Sequence, residues 1–156
     1  MSDIIDDGAD GEERLSDPLH GRCLCGAVTI TLEGALPKVD ICHCEMCVRW
    51  SGTFLGGLSG TSAAVTGEQS VSVYQSSDWA QRAFCNKCGT NLWYCFTPTG
   101  HISYLAGLFD VPKGLGILQQ IFVDEKPDWY DLVQKSPMKT GAEAIADAEA
   151  AGFTFD

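Results

Sequence analysis

The stretch Cys85-Asn86-Lys87-Cys88-Gly89 (CNKCG) places two thiols on one side of a tight turn, and Cys23-Leu24-Cys25-Gly26 (CLCG) repeats this arrangement about sixty residues earlier. In both stretches, a glycine follows the second cysteine and can adopt the unusual backbone angles that such a turn needs. Two such pairs complete a tetrahedral Cys₄ site, which is the usual form of structural zinc. The sequence therefore predicts a closed zinc site that joins the first strand to the Cys85 hairpin and contributes folding energy.

The cysteine content as a whole favours metal binding. The chain has eight cysteines, of which seven fall in three clusters, and only Cys95 stands alone. We expect no secretory signal peptide, because residues 1–17 are acidic and lack an apolar segment. Since cytosolic thiols are kept reduced, these cysteines indicate metal or catalysis rather than a disulfide framework. Ordinary buried cysteines are the simpler alternative, but two cysteine pairs that are each followed by glycine argue against it.

A third cluster, CHCEMC (Cys42–Cys47), contains three thiols. If its first residues are extended, Cys42 and Cys44 point to one face and His43 to the other, and Cys47 reaches back through a turn. Zinc held by three protein ligands keeps a fourth position free, which is the general layout of a catalytic site.

The charge of this second site suggests its chemistry. Three thiolates around Zn²⁺ leave a net charge of −1, so bound water is acidified less than at a site of neutral histidines. An incoming thiol is the more natural fourth ligand, because zinc deprotonates coordinating thiols. We therefore expect a thiolate that attacks a small electrophile held beside it.

Residues near the three-cysteine cluster allow more than one interpretation. His43 is a fourth ligand, a base that acts without touching the metal, or a packed side chain. Arg49 is a candidate catalytic-site residue that contacts an anionic substrate, or an exposed arginine. Cys95 belongs to an alternating strand and is expected in the core. The four tryptophans line a pocket or pack in the interior.

Composition excludes several function classes. A chain of 156 residues is most simply one domain, and more than half of its net charge of −11 falls in residues 1–17. No apolar run is long enough to span a bilayer, and no basic patch suits a phosphate backbone. We expect a cytoplasmic protein that binds neither nucleic acid nor a membrane.

Hydrophobic periodicity predicts a mainly β fold of six to eight short strands and long loops. VTITLEG alternates with a period of two, and NLWYCF, a Pro-Thr-Gly turn and HISYLAGLF form a hairpin. The segment SGTSAAVTGEQS is expected to be a loop. Thr140 and Glu143 have capping-box spacing before an alanine-rich stretch that ends at Gly152, which predicts one C-terminal helix.

Four segments together resemble the glutathione-dependent formaldehyde-activating enzyme family, which also includes centromere protein V. They are GRCLCGAV, CHCEMCVRWSG, FCNKCGTNLWY and IFVDEKPDWYD, and they extend from Gly21 to Asp131. The resemblance implies an Mss4-like β-tent with short antiparallel strands, zinc knuckles and two zinc ions. Its structural zinc matches Cys23, Cys25, Cys85 and Cys88, and its catalytic zinc matches Cys42, Cys44 and Cys47.

The activity that the resemblance implies is a carbon–sulfur lyase reaction, in which glutathione and formaldehyde give S-hydroxymethylglutathione. The partners expected are therefore a small thiol such as glutathione and a small aldehyde. Two positions depart from the family: Gln120 stands where many members have histidine, and Cys95 where many have arginine. The expected organisation is an acidic, disordered tail (1–19), a zinc-binding domain (20–135) and a C-terminal helical extension (136–156).

Two other functions compete with this interpretation. The first is a binding or scaffold module of the centromere protein V type, in which both metals are structural; the acidic N-terminal segment argues against it. The second is a methionine sulfoxide reductase, a class that shares the fold type and needs a lone nucleophilic cysteine. Only Cys95 is available for that role.

Overall fold

The computed structural model describes residues 13–155, and this part of the chain is mainly β. It contains eleven strands and two α-helices. The strands are β1 (Leu19–Arg22), β2 (Thr29–Glu33), β3 (Lys38–Cys42), β4 (Leu55–Leu58), β5 (Ser62–Thr66), β6 (Val71–Ser77), β7 (Ala80–Cys85), β8 (Asn91–Phe96), β9 (His101–Leu105), β10 (Gly116–Ile121) and β11 (Met138–Lys139). The helices are α1 (Glu45–Ser51) and α2 (Gly141–Ala150). The mainly β prediction is confirmed, but the expected six to eight strands are fewer than the eleven observed.

The strands form two sheets. β1, β2 and β5 make a three-stranded antiparallel sheet, and the other eight strands follow the order β11-β10-β3-β4-β9-β8-β7-β6. The expectation of antiparallel strands holds for most of the second sheet. It is wrong for β10, which pairs parallel with both β3 and β11. Parallel pairing requires a long connection, and local alternation does not reveal it.

Local patterns predicted several strands correctly and missed others. β2 buries Ile30 and Leu32 and leaves its threonines partly exposed, and β8 and β9 form the expected hairpin. The segment expected to be a small-residue loop contains β5, which pairs with β2. β5 is missed because it lies at the sheet edge and its residues are largely exposed, so no apolar alternation marks it.

The core lies where the three-stranded sheet packs against the central strands of the larger sheet. Ile30 and Leu32 from β2 meet Leu58 and Leu92 from the larger sheet in one cluster. Each of these side chains is at most 1% exposed, and burying each stabilises the fold by roughly 1.5–3 kcal/mol. The same cluster includes two of the cysteines predicted to bind metal, Cys23 and Cys85.

The helix α1 was not predicted, so the expectation of a single C-terminal helix is incomplete. Its N-cap is Cys44, whose Sγ accepts the backbone N–H of Cys47 at 3.4 Å. The residues that usually mark an N-cap are Ser, Thr, Asp and Asn, so this start carries no ordinary capping signal. Among residues 13–155, no helix is long and apolar enough to cross a membrane.

The C-terminal segment packs on the larger sheet. The predicted capping box of α2 is present: the Thr140 side chain accepts the Glu143 N–H, and the Glu143 carboxylate accepts the Thr140 N–H. Beyond the helix, Phe153 packs edge-on against Phe96. Together with the pairing of β11 on β10, these contacts hold residues 138–155, which lie within the predicted helical extension (136–156), against the larger sheet.

Most of the predicted acidic tail (1–19) lies outside the described residues, which begin at Glu13. The described part contacts the domain: the Leu15 N–H donates to the Ala35 carbonyl at 2.8 Å, and Arg14 Nη1 donates to the Gly34 carbonyl at 2.9 Å. Residues 13–19 therefore lead directly into β1.

Thr140→Ala removes the hydroxyl that caps α2. We expect a loss of about 1 kcal/mol in the local stability of this helix, because the Glu143 N–H loses its acceptor. Hydrogen exchange of the α2 amides measures this loss. Thr154→Ala, which alters an exposed threonine beyond the helix, is the control. Unchanged protection of α2 in Thr140→Ala would contradict the capping role.

Candidate metal centres

The first cluster brings together the four cysteines of the two turns. Their Sγ atoms lie within 4.8 Å of one another, and this group consists of Cys23, Cys25, Cys85 and Cys88. Gly26 and Gly89 have φ of 78° and 79°, as the turn argument predicts. The Sγ atoms of Cys23 and Cys25 are 3.6 Å apart. A tetrahedral ion with metal–sulfur bonds of about 2.3 Å needs sulfur–sulfur separations of about 3.8 Å, so the group fits such an ion.

Three sulfurs of this cluster accept or share hydrogen bonds with neighbouring groups. The Val28 N–H donates to Cys23 Sγ at 3.3 Å, and the Lys87 N–H donates to Cys85 Sγ at 3.4 Å. Hydrogen bonds from Thr90 lower the pKa of Cys88 to about 5. Since metal ligands must be deprotonated, these donors favour metal binding.

The second cluster forms where β3 turns into α1. Cys42 ends the strand, Cys44 caps the helix, and Cys47 lies in its first turn. Their three Sγ atoms lie within 4.8 Å of one another, and all three residues line a cavity. His43 does not line it, as the alternation argument predicts. The three thiols therefore form a site that is open on the cavity side.

A buried arginine that sequence reasoning missed lies against this second cluster. Arg82 of β7 is only 3% exposed, and its Nη1 and Nη2 atoms each lie 3.7 Å from Cys47 Sγ. The guanidinium lies over the rings of Trp50 and Tyr94, at 5.1 Å from each centroid, and its Nε donates to Ser76 Oγ. A fixed positive charge thus faces the thiols.

The surroundings favour the thiolate form at one of the three sulfurs, that of Cys44. Hydrogen bonds from Cys42 and Cys47 lower the pKa of Cys44, and the nearby Arg82 charge lowers it further. Hydrogen bonding with the other two thiols, together with burial, raises the pKa of Cys42 well above its usual range. Since metal ligands must be deprotonated, a bound metal would displace the protons that remain on these sulfurs.

Arg49 is not among the residues that line the cavity, although its partner Glu45 is. Its side chain is 78% exposed, and its guanidinium is 3.6 Å from the carboxylate of Glu45, one helical turn earlier. Its predicted contact with an anionic substrate stays a prediction. The arginine that lines the cavity is Arg82. The sequence did not distinguish it from other arginines, because a buried arginine and an exposed arginine in a strand leave the same sequence pattern.

His43 is packed and fully hydrogen-bonded. Its Nε2 lies 2.8 Å from Gln120 Oε1, and its Nδ1 lies 2.8 Å from the Tyr130 hydroxyl. Because an amide oxygen only accepts, Nε2 carries the proton and Nδ1 accepts from Tyr130. Burial lowers the pKa of His43, which favours the neutral ring. These contacts favour the interpretation of His43 as a packed side chain. They also show that Gln120 accepts a hydrogen bond from His43 in this chain.

The cavity over the three thiols has a volume of about 650 Å³. Its walls come from the larger sheet, the loop after β10, α2 and the C-terminal residues. They are largely apolar, and their large side chains include Leu55, Trp79, Phe96, Phe122, Ile145 and Phe155. A cavity of this size and character is typical of a small-molecule site.

Cys95 takes part in neither cluster. It is half-buried in β8, and burial raises the pKa of its thiol. It does not line the cavity. The expected core position is therefore only partly met, and the methionine sulfoxide reductase interpretation gains no support.

Comparison with known proteins identifies relatives over most of the chain. A family model described as "Glutathione-dependent formaldehyde-activating enzyme" matches residues 18–125. A Schizosaccharomyces pombe protein named an uncharacterized lyase is 34% identical over 128 residues, which cover 81% of this chain and 93% of that protein. A crystal structure of a Rhodobacter sphaeroides protein is 24% identical and has a TM-score of 0.49, covering 58% of this chain and 87% of that one.

His43→Ala tests the packed role of this histidine. We expect the free energy of unfolding to fall by roughly 2–4 kcal/mol, because a small cavity forms and the buried Gln120 oxygen loses its donor. Denaturant titration measures the change, with the exposed His20→Ala as the control. Unchanged stability together with lost turnover would instead identify His43 as a base.

Proposed function

The chain belongs to the glutathione-dependent formaldehyde-activating enzyme family, and from this premise we propose that it is a zinc-dependent carbon–sulfur lyase-type enzyme. It adds a small thiol, glutathione, to formaldehyde or a related carbonyl, and with formaldehyde the product is S-hydroxymethylglutathione. The observation that carries the proposal is the opening of three clustered thiols onto a cavity. The name of the fission yeast relative supports the reaction class.

Both clusters suit zinc by the chemistry of their donors. Cys23, Cys25, Cys85 and Cys88 would hold a closed structural ion. Cys42, Cys44 and Cys47 would hold a second ion, which when bound supplies Lewis acidity and keeps an incoming thiol deprotonated. Free thiolates require a reducing compartment, and we propose the cytoplasm.

The protein itself supplies a fixed positive charge and a largely apolar cavity. The Arg82 guanidinium is fixed between two aromatic rings, so its charge offsets the negative charge that a further thiolate brings to the cluster. The largely apolar walls offer a surface beside the sulfurs that holds thiol and carbonyl close together.

The reaction is balanced without any further reactant. The thiol sulfur forms a bond to the carbonyl carbon, the carbon–oxygen π bond breaks, and the proton lost from sulfur ends on oxygen. Both ring nitrogens of His43 are engaged with Gln120 and Tyr130, so this histidine is not an open base in the described structure.

The alternative of a binding or scaffold module predicts a structural metal at the three-cysteine cluster instead of a catalytic one. If both metals were structural, the three-cysteine site would be closed by a fourth protein ligand. Among residues 13–155 no such ligand joins Cys42, Cys44 and Cys47, and their sulfurs face the cavity instead. This arrangement favours the enzyme.

Metal analysis tests the two-zinc proposal. We expect two zinc ions per chain in the unaltered protein purified without added metal. The Cys88→Ser variant and the Cys47→Ser variant should each retain one zinc ion per chain. Cys88→Ser should also lose several kcal/mol of stability, because structural zinc contributes folding energy, whereas Cys47→Ser should lose less. Cys95→Ser is the matched control, because Cys95 belongs to neither cluster and this variant should retain both zinc ions. One zinc ion in the unaltered protein would contradict an occupied second site.

Exchange NMR at equilibrium tests the activity. It measures the interconversion of glutathione plus formaldehyde with S-hydroxymethylglutathione, which the wild-type protein should accelerate. Cys47→Ser should lower kcat/KM at least a hundredfold, since it removes a sulfur from the open cluster, whereas Cys95→Ser should leave it unchanged. Equal acceleration by wild type and Cys47→Ser would overturn the proposal.

A further inference from the structure

We propose that the carbonyl substrate of this enzyme carries an uncharged apolar chain, and that the C-terminal segment (residues 138–155) forms the wall that receives it. This inference rests on the proposed function and names its substrate class. It is carried by the size, the charge and the origin of the cavity walls.

Size is the first argument. Formaldehyde has two heavy atoms, whereas the cavity over Cys42, Cys44 and Cys47 measures about 650 Å³. Sites for ligands of drug size occupy about 300–1,000 Å³. The cavity is therefore larger than formaldehyde needs, and it leaves space for a longer carbonyl compound beside the thiol that shares it.

The composition of the walls is the second argument. α2 contributes Ala144, Ile145 and the buried Ala148, and Phe155 follows from the end of the chain. From the turn between β6 and β7, Trp79 packs edge-on against Phe155 at 5.2 Å between ring centroids. These surfaces offer apolar contact and suit a hydrocarbon group.

Charge is the third argument, and it disfavours an anionic chain. Two cations line the cavity. Arg82 already faces Cys47 Sγ, and Lys139 Nζ lies 2.6 Å from the Asp147 carboxylate. Four carboxylates lie in the same walls, those of Asp40, Glu45, Glu125 and Asp147. Carboxylates therefore outnumber cations among the lining residues, which disfavours a carboxylate on the aldehyde, and the carboxylates of glutathione are likewise expected outside the apolar part.

The origin of the wall is the fourth argument. The family match ends at residue 125, so α2 and Phe155 lie beyond it. The wall is nevertheless well anchored, through the parallel pairing of β11 with β10 and the capping box at Thr140. The matched region thus carries the thiols, and the segment beyond it shapes the space for the substrate chain.

The test compares straight-chain aldehydes from formaldehyde to hexanal, with glutathione and the full-length zinc-loaded protein. Each kcat/KM is divided by the uncatalysed rate constant, which removes differences in intrinsic reactivity. We expect this ratio to rise up to about fourfold for each methylene group buried, the equivalent of about 0.8 kcal/mol. A ratio that stays flat or falls with chain length overturns the inference.

Cavity-filling variants locate the effect. Ala144→Trp should lower the hexanal-to-formaldehyde ratio at least tenfold, because its side chain occupies the space lined by Ala144. Ala144→Leu, a milder change, should give an intermediate loss if the tryptophan variant does not fold. Ala146→Trp is the matched control: Ala146 is exposed on the same helix and does not line the cavity, so the ratio should stay unchanged.

A binding measurement separates this inference from the proposed function. Saturation-transfer NMR should detect hexanamide, an uncharged and unreactive analogue, on wild type and Ala146→Trp but much less on Ala144→Trp. Turnover of formaldehyde without any chain-length preference or hexanamide binding would overturn the inference and leave the proposed function standing. Absence of turnover with every aldehyde would overturn the proposed function and the carbonyl assignment with it.

Discussion

The convergence of four thiols from two distant turns is the constraint on which the rest of the structure depends. Cys23 and Cys85 are fully buried and belong to the main core, so the cluster is continuous with the packing between the two sheets. It brings the end of β1 to the turn between β7 and β8. Since Arg82 lies three residues before Cys85 on β7, the same constraint helps to place its charge at the second cluster.

The two clusters differ in what surrounds them. The four-cysteine cluster has a full set of protein donors, and two of them, Cys23 and Cys85, belong to the core. The three-cysteine cluster lies between a strand end and a short helix, with a buried cation on one side and an apolar cavity on the other. A thiol that enters this cavity meets a site whose charge is already partly balanced.

Local sequence patterns predicted the elements whose signal is complete within a few residues. The cysteine-glycine turns, the alternation of Ile30 and Leu32, the β8–β9 hairpin and the α2 capping box all appear in the structure as expected. Helix α1 and strand β5 were missed: a cysteine sulfur caps the helix, and β5 lies at a sheet edge with little apolar alternation. The parallel pairing of β10 depends on contacts far apart in the chain.

The sequence by itself determined which cysteines cluster, because ligand spacing and glycine turns are local chemistry that leaves a readable pattern. It did not determine which arginine faces the open cluster, what His43 binds, or that the C-terminal segment walls the cavity. Only the tertiary structure decided these points. Arg82 and Arg49 are chemically identical residues, and burial between Trp50 and Tyr94 distinguishes the first from the second. Such burial arises from packing between distant segments, which no short pattern records.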